Sequence, residues 1–352
     1  MINEFRILNY DEYKFFFIET TAACNLRCSY CYYKKTDKKP NYNVEELVDE
    51  LQRFDKLIVC FLGGEPFLNH SFIQEVVMHP VFAEKKVVFA ANTNGTQFDN
   101  VSSEVLSRFA FFHLSVDGIE VCNDYYRGAG TYSLILRNLK HLRKYSNAQL
   151  VARMTVSSAR QIADIPALSE HFDAVYWQVN NSRNELSREF LPEYLHELEG
   201  LFEWWRLEGM HHADYVVIPF VGMCDLIMRG GMRDPDLICG AGRDHVSISL
   251  DGSVYPCPES FYRRGDEECL GSLSDFVFQP YSKKERCLSC DLLKYCGGRC
   301  AMTDDDIYCE SVRQVYNMCI AYINALTEKE LMEFSSHIDR QRGVAYTTEI
   351  IS

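Results

Sequence analysis

Six short β-rich runs, at 13–18, 57–62, 87–91, 111–116, 150–156 and 174–179, occupy the first half of the chain. Between most of them lie stretches with apolar residues at helical spacing, such as 44–54 and 133–144. Strands alternating with helices predict βαβ units and a parallel sheet that curls into a partial barrel. In such sheets the working side chains sit at the C-terminal strand ends, in the loops that lead to the helices. A further helix is expected over 193–208, ending at Gly209. After about residue 221 the alternation stops. The expected organisation is an α/β domain over 1–220, a linker over 221–238, a cysteine-rich domain over 239–330 and a tail over 331–352.

A chain of 352 residues is too long for one ordinary compact core, in keeping with two units. Its net charge of −14, from 36 basic against 50 acidic residues, argues against a nucleic-acid partner, which needs a dense basic face. No basic segment followed by an apolar run opens the sequence, and no apolar run approaches the roughly 20 residues of a membrane helix. A cytoplasmic protein without membrane contact is expected. Cysteine is the outlier: ten of the fifteen lie between Cys224 and Cys319. An odd, clustered set suits metal ligation in a reducing compartment better than a disulfide framework.

The loop after the first strand reads Cys24-x3-Cys28-x2-Cys31, with Tyr30 before the last cysteine. Three thiolates on a short loop can hold three irons of a [4Fe–4S] cube and leave the fourth open to a small molecule. A zinc knuckle would need a fourth ligand, and no nearby His or Cys supplies one. After the second strand comes Gly63-Gly64-Glu65-Pro66. Glycines let backbone approach a ligand closely, although the same four residues alone could be a tight turn.

These two loops, in this order, resemble the radical S-adenosylmethionine (SAM) superfamily. The resemblance implies a partial (β/α)6 TIM-like barrel, a SAM-binding [4Fe–4S] cluster on Cys24, Cys28 and Cys31, and a 5′-deoxyadenosyl radical that takes a hydrogen atom from substrate. It places Tyr30 against the adenine and Gly63, Gly64 and Glu65 at the methionine amino group. It places Ser115, in the run Ser115-Val-Asp117-Gly118, near the ribose, and Arg127 at the SAM carboxylate. Asn180 is a further candidate for the SAM pocket. Thr93-Asn94-Gly95 also matches a family turn and is read as structural. Without the resemblance, Arg127 would be a surface charge.

Farther on, Cys239 is followed after twelve residues by Gly252 and after four more by Cys257; then come Cys287-x2-Cys290-x5-Cys296-x3-Cys300 and Cys319. Residues 245–255 alternate around Asp251-Gly252, a hairpin signal. The array is similar to the SPASM pattern, which implies two auxiliary [4Fe–4S] clusters. The outer one would take Cys287, Cys290, Cys296 and Cys319, and the inner one Cys239, Cys257 and Cys300. Some relatives place another cysteine where His245 stands. The inner fourth position is therefore open to substrate or filled by Cys224, Cys269 or Cys309. Taken alone, the array also fits two structural zinc sites.

Of the remaining cysteines, Cys60 reads as a core residue. Cys122 is either a buried thiol or, as in a few family epimerases, a hydrogen donor. Trp204 and Trp205 read as packing residues. The resemblance implies a peptide or protein substrate, modified by crosslinking, epimerisation or related C–H activation, with flavodoxin or ferredoxin as electron donor. No room for a leader-recognition domain precedes Cys24, so leader binding is expected to fall to a separate leader-recognition protein, the barrel itself or the SPASM surface. An anaerobic sulfatase-maturing, formylglycine-forming enzyme is the alternative within the class. Such enzymes carry Asp directly after the hairpin cysteine; here Cys257 is followed by Pro258 and Glu259. The alternative outside the class is a non-catalytic iron–sulfur scaffold.

Overall fold

The computed structural model describes residues 13–83, 85–180, 190–211, 215–231, 240–302 and 306–345. Each of the six β-rich runs forms a strand: β1 (Lys14–Thr21), β2 (Lys56–Gly63), β3 (Lys86–Thr93), β4 (Phe109–Ser115), β5 (Gln149–Val156) and β6 (Ala174–Val179). They pair in parallel and in chain order, for example Phe17 opposite Cys60 and Cys60 opposite Ala90. Parallel strands are covered on both faces, which is why they read as continuous apolar runs; every residue of β1 after Lys14 is buried. Ring contacts join β2, β3 and β4: Phe61 lies 6.3 Å from Phe89 and 6.1 Å from Phe109, and Phe67, in the turn after β2, lies 6.0 Å from Phe109.

The sheet does not stop at six strands. A short β7 (Val216–Val217) extends it beyond β6, and β8 (His245–Ile248), β9 (Ser253–Tyr255) and β10 (Gly271–Ser272) extend it beyond β1. β8 runs parallel to β1, and β9 returns antiparallel through the expected hairpin. Gly252 takes the left-handed φ of +83° that this turn requires. The cysteine-rich half and the α/β half thus share one ten-stranded open sheet.

Helix 44–54 is realised as Val44–Leu51, started by a reciprocal cap in which the Asn43 side chain accepts from Glu46 N (2.9 Å) and Glu46 accepts from Asn43 N (2.8 Å). Helix 193–208 is realised as Phe190–Trp204, followed by one wider π-type turn to Gly209. The stretch expected as a linker differs. Ile218–Met228 is a helix whose residues from Ile218 to Ile227 are all buried, packed against Asp306–Ala325 and Glu328–Ala345. A helix apolar on every side belongs in a core. Its one acidic residue, Asp225, is buried and paired with Arg342 (2.8 Å) and with Arg229. The expected tail therefore begins as a docked helix up to Ala345, and the rest of the expected linker, 232–238, lies outside the described residues. Among the described residues no helix is long and apolar enough to cross a membrane.

Candidate active site

The segment bearing Cys24, Cys28 and Cys31 leaves β1 and folds back on itself, with Ala22 N donating to Lys38 O (2.9 Å) and Thr36 N to Ala22 O (3.2 Å). Ser29 N donates to Tyr126 O (2.9 Å), which ties the loop to the helix Glu120–Arg127. The Gly63-Gly64-Glu65-Pro66 loop zips onto its base through Gly64 N to Thr21 O (2.9 Å) and Glu65 N to Ala23 O (2.8 Å). Only glycine allows this approach. Gly63 has φ +141°, and a Cβ there would stand 2.3 Å from Thr21 O; one on Gly64 would stand 2.2 Å from Ala23 O.

Both loops open on one cavity of about 250 Å³ at the C-terminal strand ends. Its wall brings together Cys24, Cys28, Cys31, Tyr30, Gly63, Gly64, Ser115, Arg127 and Asn180, all read from the sequence as site residues. Strand ends supply Thr93 and Asn94 from β3, Arg153 and Thr155 from β5, and Gln178 from β6. Burial raises the thiols of Cys24 and Cys28, while Lys35 opposes this at both and Arg127 at Cys28. Three soft ligands flanked by cations on one glycine-bounded loop fit an anionic iron–sulfur cluster. Among the described residues no three or more His, Cys, Asp or Glu side chains converge as a single-ion site.

Two of the three guanidinium nitrogens of Arg127 are committed to the fold. It pairs with the buried Asp117, Nε at 2.8 Å from Oδ2 and Nη2 donating to Oδ1 at 2.9 Å. Asp117 also accepts from Tyr30 Oη (2.6 Å) and Thr155 N (2.8 Å), so one carboxylate sets both side chains read as SAM contacts. The Tyr30 ring in turn lies 5.6 Å from the guanidinium. Asp117 was legible only as part of a strand-end motif; its position two residues after Ser115 is the signal that could have marked it. Lys35, Arg153 and Arg299 also line the cavity and carried no sequence signal.

Two residues read as site residues lie elsewhere. Glu65 is wholly buried beneath the cavity, accepting from Thr93 Oγ1 (2.7 Å), Asn94 N (2.7 Å) and Phe67 N (3.2 Å). It fastens the glycine loop to the end of β3, and the Thr93-Asn94-Gly95 turn is its receptor. Cys122, on Glu120–Arg127, is buried under Gly118 rather than lining the cavity. Burial and the Asp164 carboxylate push its thiol up to about 11.

Burial pushes the Glu65 carboxyl from 4.5 up to about 7, against its three hydrogen bonds. Burial also pushes His113 and His245 from 6.5 down to about 3. The raised acid stabilises the fold below pH 4.5 and loses that contribution as pH rises through 7. The lowered histidines stabilise it above 6.5 and lose theirs as pH falls toward 3. Between pH 6.5 and 4.5 unfolding then takes up two protons at the histidines and releases one at Glu65, a net uptake of one. Glu65→Gln should remove the opposing proton release and so steepen the loss of stability by about 1.4 kcal/mol per pH unit. Denaturant unfolding of both proteins across this window measures it; equal slopes would remove Glu65 from the account.

The cysteine-rich half closes over the same cavity. Glu19 of β1 accepts from Tyr33, from Tyr262 (2.6 Å) and from Leu250 N (3.1 Å), joining the cysteine loop, the helix Pro258–Arg264 and the hairpin. Pro258, Glu259 and Cys300 line the cavity from this side, and Glu259 is bonded to Tyr32 and Arg263. Cys257 packs with Ala241 and Ala301, the near neighbours of Cys239 and Cys300; Cys239 itself lies outside the described residues. A second cavity is lined by Cys287, Cys290 and Cys296, together with Cys309. Cys319 is not there: it is wholly buried beside Cys224, donating toward Phe220 O (3.9 Å). Cys60 is a core residue of β2, and Trp205 is wholly buried.

The fold and the cavity describe a parallel α/β sheet whose C-terminal strand ends bring three cysteines and a glycine loop to one cavity. The model of the radical SAM superfamily matches residues 18–160. The cysteine-type anaerobic sulfatase-maturating enzyme of Clostridium perfringens (strain 13 / Type A) is 24% identical over 84% of this chain and 93% of its own. The mycofactocin maturase MftC of Mycobacterium ulcerans is 27% identical over 70% of this chain and 68% of its own. Among solved structures, native anSMEcpe with bound AdoMet and Cp18Cys peptide superimposes with a TM-score of 0.71 at 19% identity, over 92% of this chain and 99% of that one. Streptococcus suis SuiB bound to precursor peptide SuiA gives 0.57 at 16%, over 85% and 74%. The radical SAM superfamily model covers residues 18–160, and the chain is similar in sequence to the anaerobic sulfatase-maturating enzymes and MftC and in fold to SuiB. The superfamily matched over residues 18–160 is one of enzymes, and the match implies SAM and a [4Fe–4S] cluster.

Proposed function

We propose that this chain carries out C–H activation on a ribosomally made peptide. The observation that carries the reading is the convergence of Cys24, Cys28 and Cys31, the Gly63-Gly64 backbone, Ser115 and Arg127 on one cavity, whose far wall comes from the cysteine-rich half. When bound and reduced, the cluster and SAM supply a 5′-deoxyadenosyl radical that removes hydrogen from substrate. Gly63 and Gly64 bring backbone within reach of the SAM amino group. Arg127 Nη1 faces the carboxylate while Asp117 holds the other two nitrogens. Tyr30 borders the adenine, and Ser115 and Asn180 border the ribose side. Cys257 and Cys300 with Cys239, and the set around Cys287, Cys290 and Cys296, hold two auxiliary clusters. Cys122, sealed under Gly118, is not the hydrogen donor in this reading.

A formylglycine-forming activity is favoured by one observation: Glu259 reaches the cavity, where a proton acceptor would be needed. The relative from C. perfringens is named for sulfatase maturation. Anaerobically reconstituted, reduced protein should hold about twelve irons and cleave SAM. Incubation with a Cys-x-Pro-x-Arg peptide then decides between the two readings by mass spectrometry. SAM cleavage without formylglycine is the expected result. A formylglycine product would replace the first reading with the second.

A further inference from the structure

The second cavity lies between Arg286, Cys287, Cys290 and Cys296 on one side and the first turns of Asp306–Ala325 on the other. Cys309, in those first turns, is exposed and faces the same space as the other three thiols. Cys319 is ten residues further along the same helix, about 15 Å away along its axis. That distance puts it in the apolar core beside Cys224, wholly buried and shut away from the cavity. One helix cannot present both thiols to one small site.

A second observation points to an anion in this cavity. Arg299 forms part of the wall shared by the two cavities. It is only 5% exposed and has a left-handed φ of 55°, and its Nε and Nη1 have no hydrogen-bond partner among the described residues. Burying two guanidinium nitrogens without acceptors is costly, and a cluster held by four thiolates would carry the negative charge that satisfies them.

We propose that Cys309, and not Cys319, completes a four-thiolate iron–sulfur site with Cys287, Cys290 and Cys296, with Arg299 as its buried counter-charge. The assignment rests on the auxiliary-cluster reading above and gives that cluster a ligand set drawn from one cavity.

The test uses the full chain with Cys24, Cys28 and Cys31 all replaced by alanine, so that iron reports on the auxiliary sites alone. This background should bind about eight irons. Adding Cys309→Ala leaves that cluster three thiolates and one iron without a protein ligand, so one cluster's electron paramagnetic resonance signal on reduction should change and the count should fall toward about seven. Cys309 is exposed, so this change opens no core cavity. Adding Cys319→Val instead should leave about eight irons. Arg299→Gln should keep the iron and make one cluster harder to reduce. An unchanged signal in the Cys309→Ala protein, or a changed one in the Cys319→Val protein, would overturn the assignment. A background without any iron would overturn the auxiliary-cluster reading first, and the assignment with it.

Discussion

Protein in which Cys24, Cys28 and Cys31 are all alanine should cleave no SAM above the level of reductant alone, and should bind about eight irons where the parent binds about twelve. The three side chains lie on one loop of 23–35 that is closed by backbone hydrogen bonds at its base and by Ser29 N to Tyr126 O at its tip. None of those bonds uses a thiol, so the loop keeps its path when the sulfurs are removed. The auxiliary cysteines belong to other segments of the chain. Loss should therefore be confined to one cluster and be complete for the chemistry. Retained SAM cleavage would show that the radical starts somewhere else in the molecule.

Asp117→Ala should have the second-largest effect. It leaves the Arg127 guanidinium buried with no counter-charge and removes acceptors from Tyr30 Oη and Thr155 N. Breaking a buried pair from one side costs about 3–5 kcal/mol. In a protein of this size that corresponds to a fall in Tm on the order of 10 °C. SAM affinity should fall with it, because Tyr30 and Arg127 lose the group that orients both. Replacing the pair together, Asp117→Ala with Arg127→Leu, should recover much of the stability and none of the affinity, since no buried charge is then orphaned. A single variant that melts with the parent would show that the pair is hydrated and contributes little.

The sequence made the barrel legible because strands covered on both faces must be apolar throughout, and six such runs leave few other arrangements. The glycine loop was legible for a similar reason, since two backbones in contact exclude any side chain. Ile218–Met228 was not, because a helix without a polar face has no period to detect. Glu65 was misplaced because a motif gives residue types and not directions: its carboxylate turns inward to Thr93 and Asn94, and the loop's glycines alone line the cavity. The same limit applies to Cys309 and Cys319. Spacing marks both as available thiols, but only the helix decides which of them looks into a cavity. Arg299 was hidden by its setting between two cysteines of a motif, where attention falls on sulfur.

The parallel contact of β8 with β1 has a consequence for what the enzyme can take in. Phe15 to Ile18 are in register with His245 to Ile248, so the lid over the cavity is sewn to the floor along four residues. Swinging it away at that seam would mean tearing the sheet. For the peptide substrate proposed above, an extended segment needs no such tearing, whereas a bulky folded partner would.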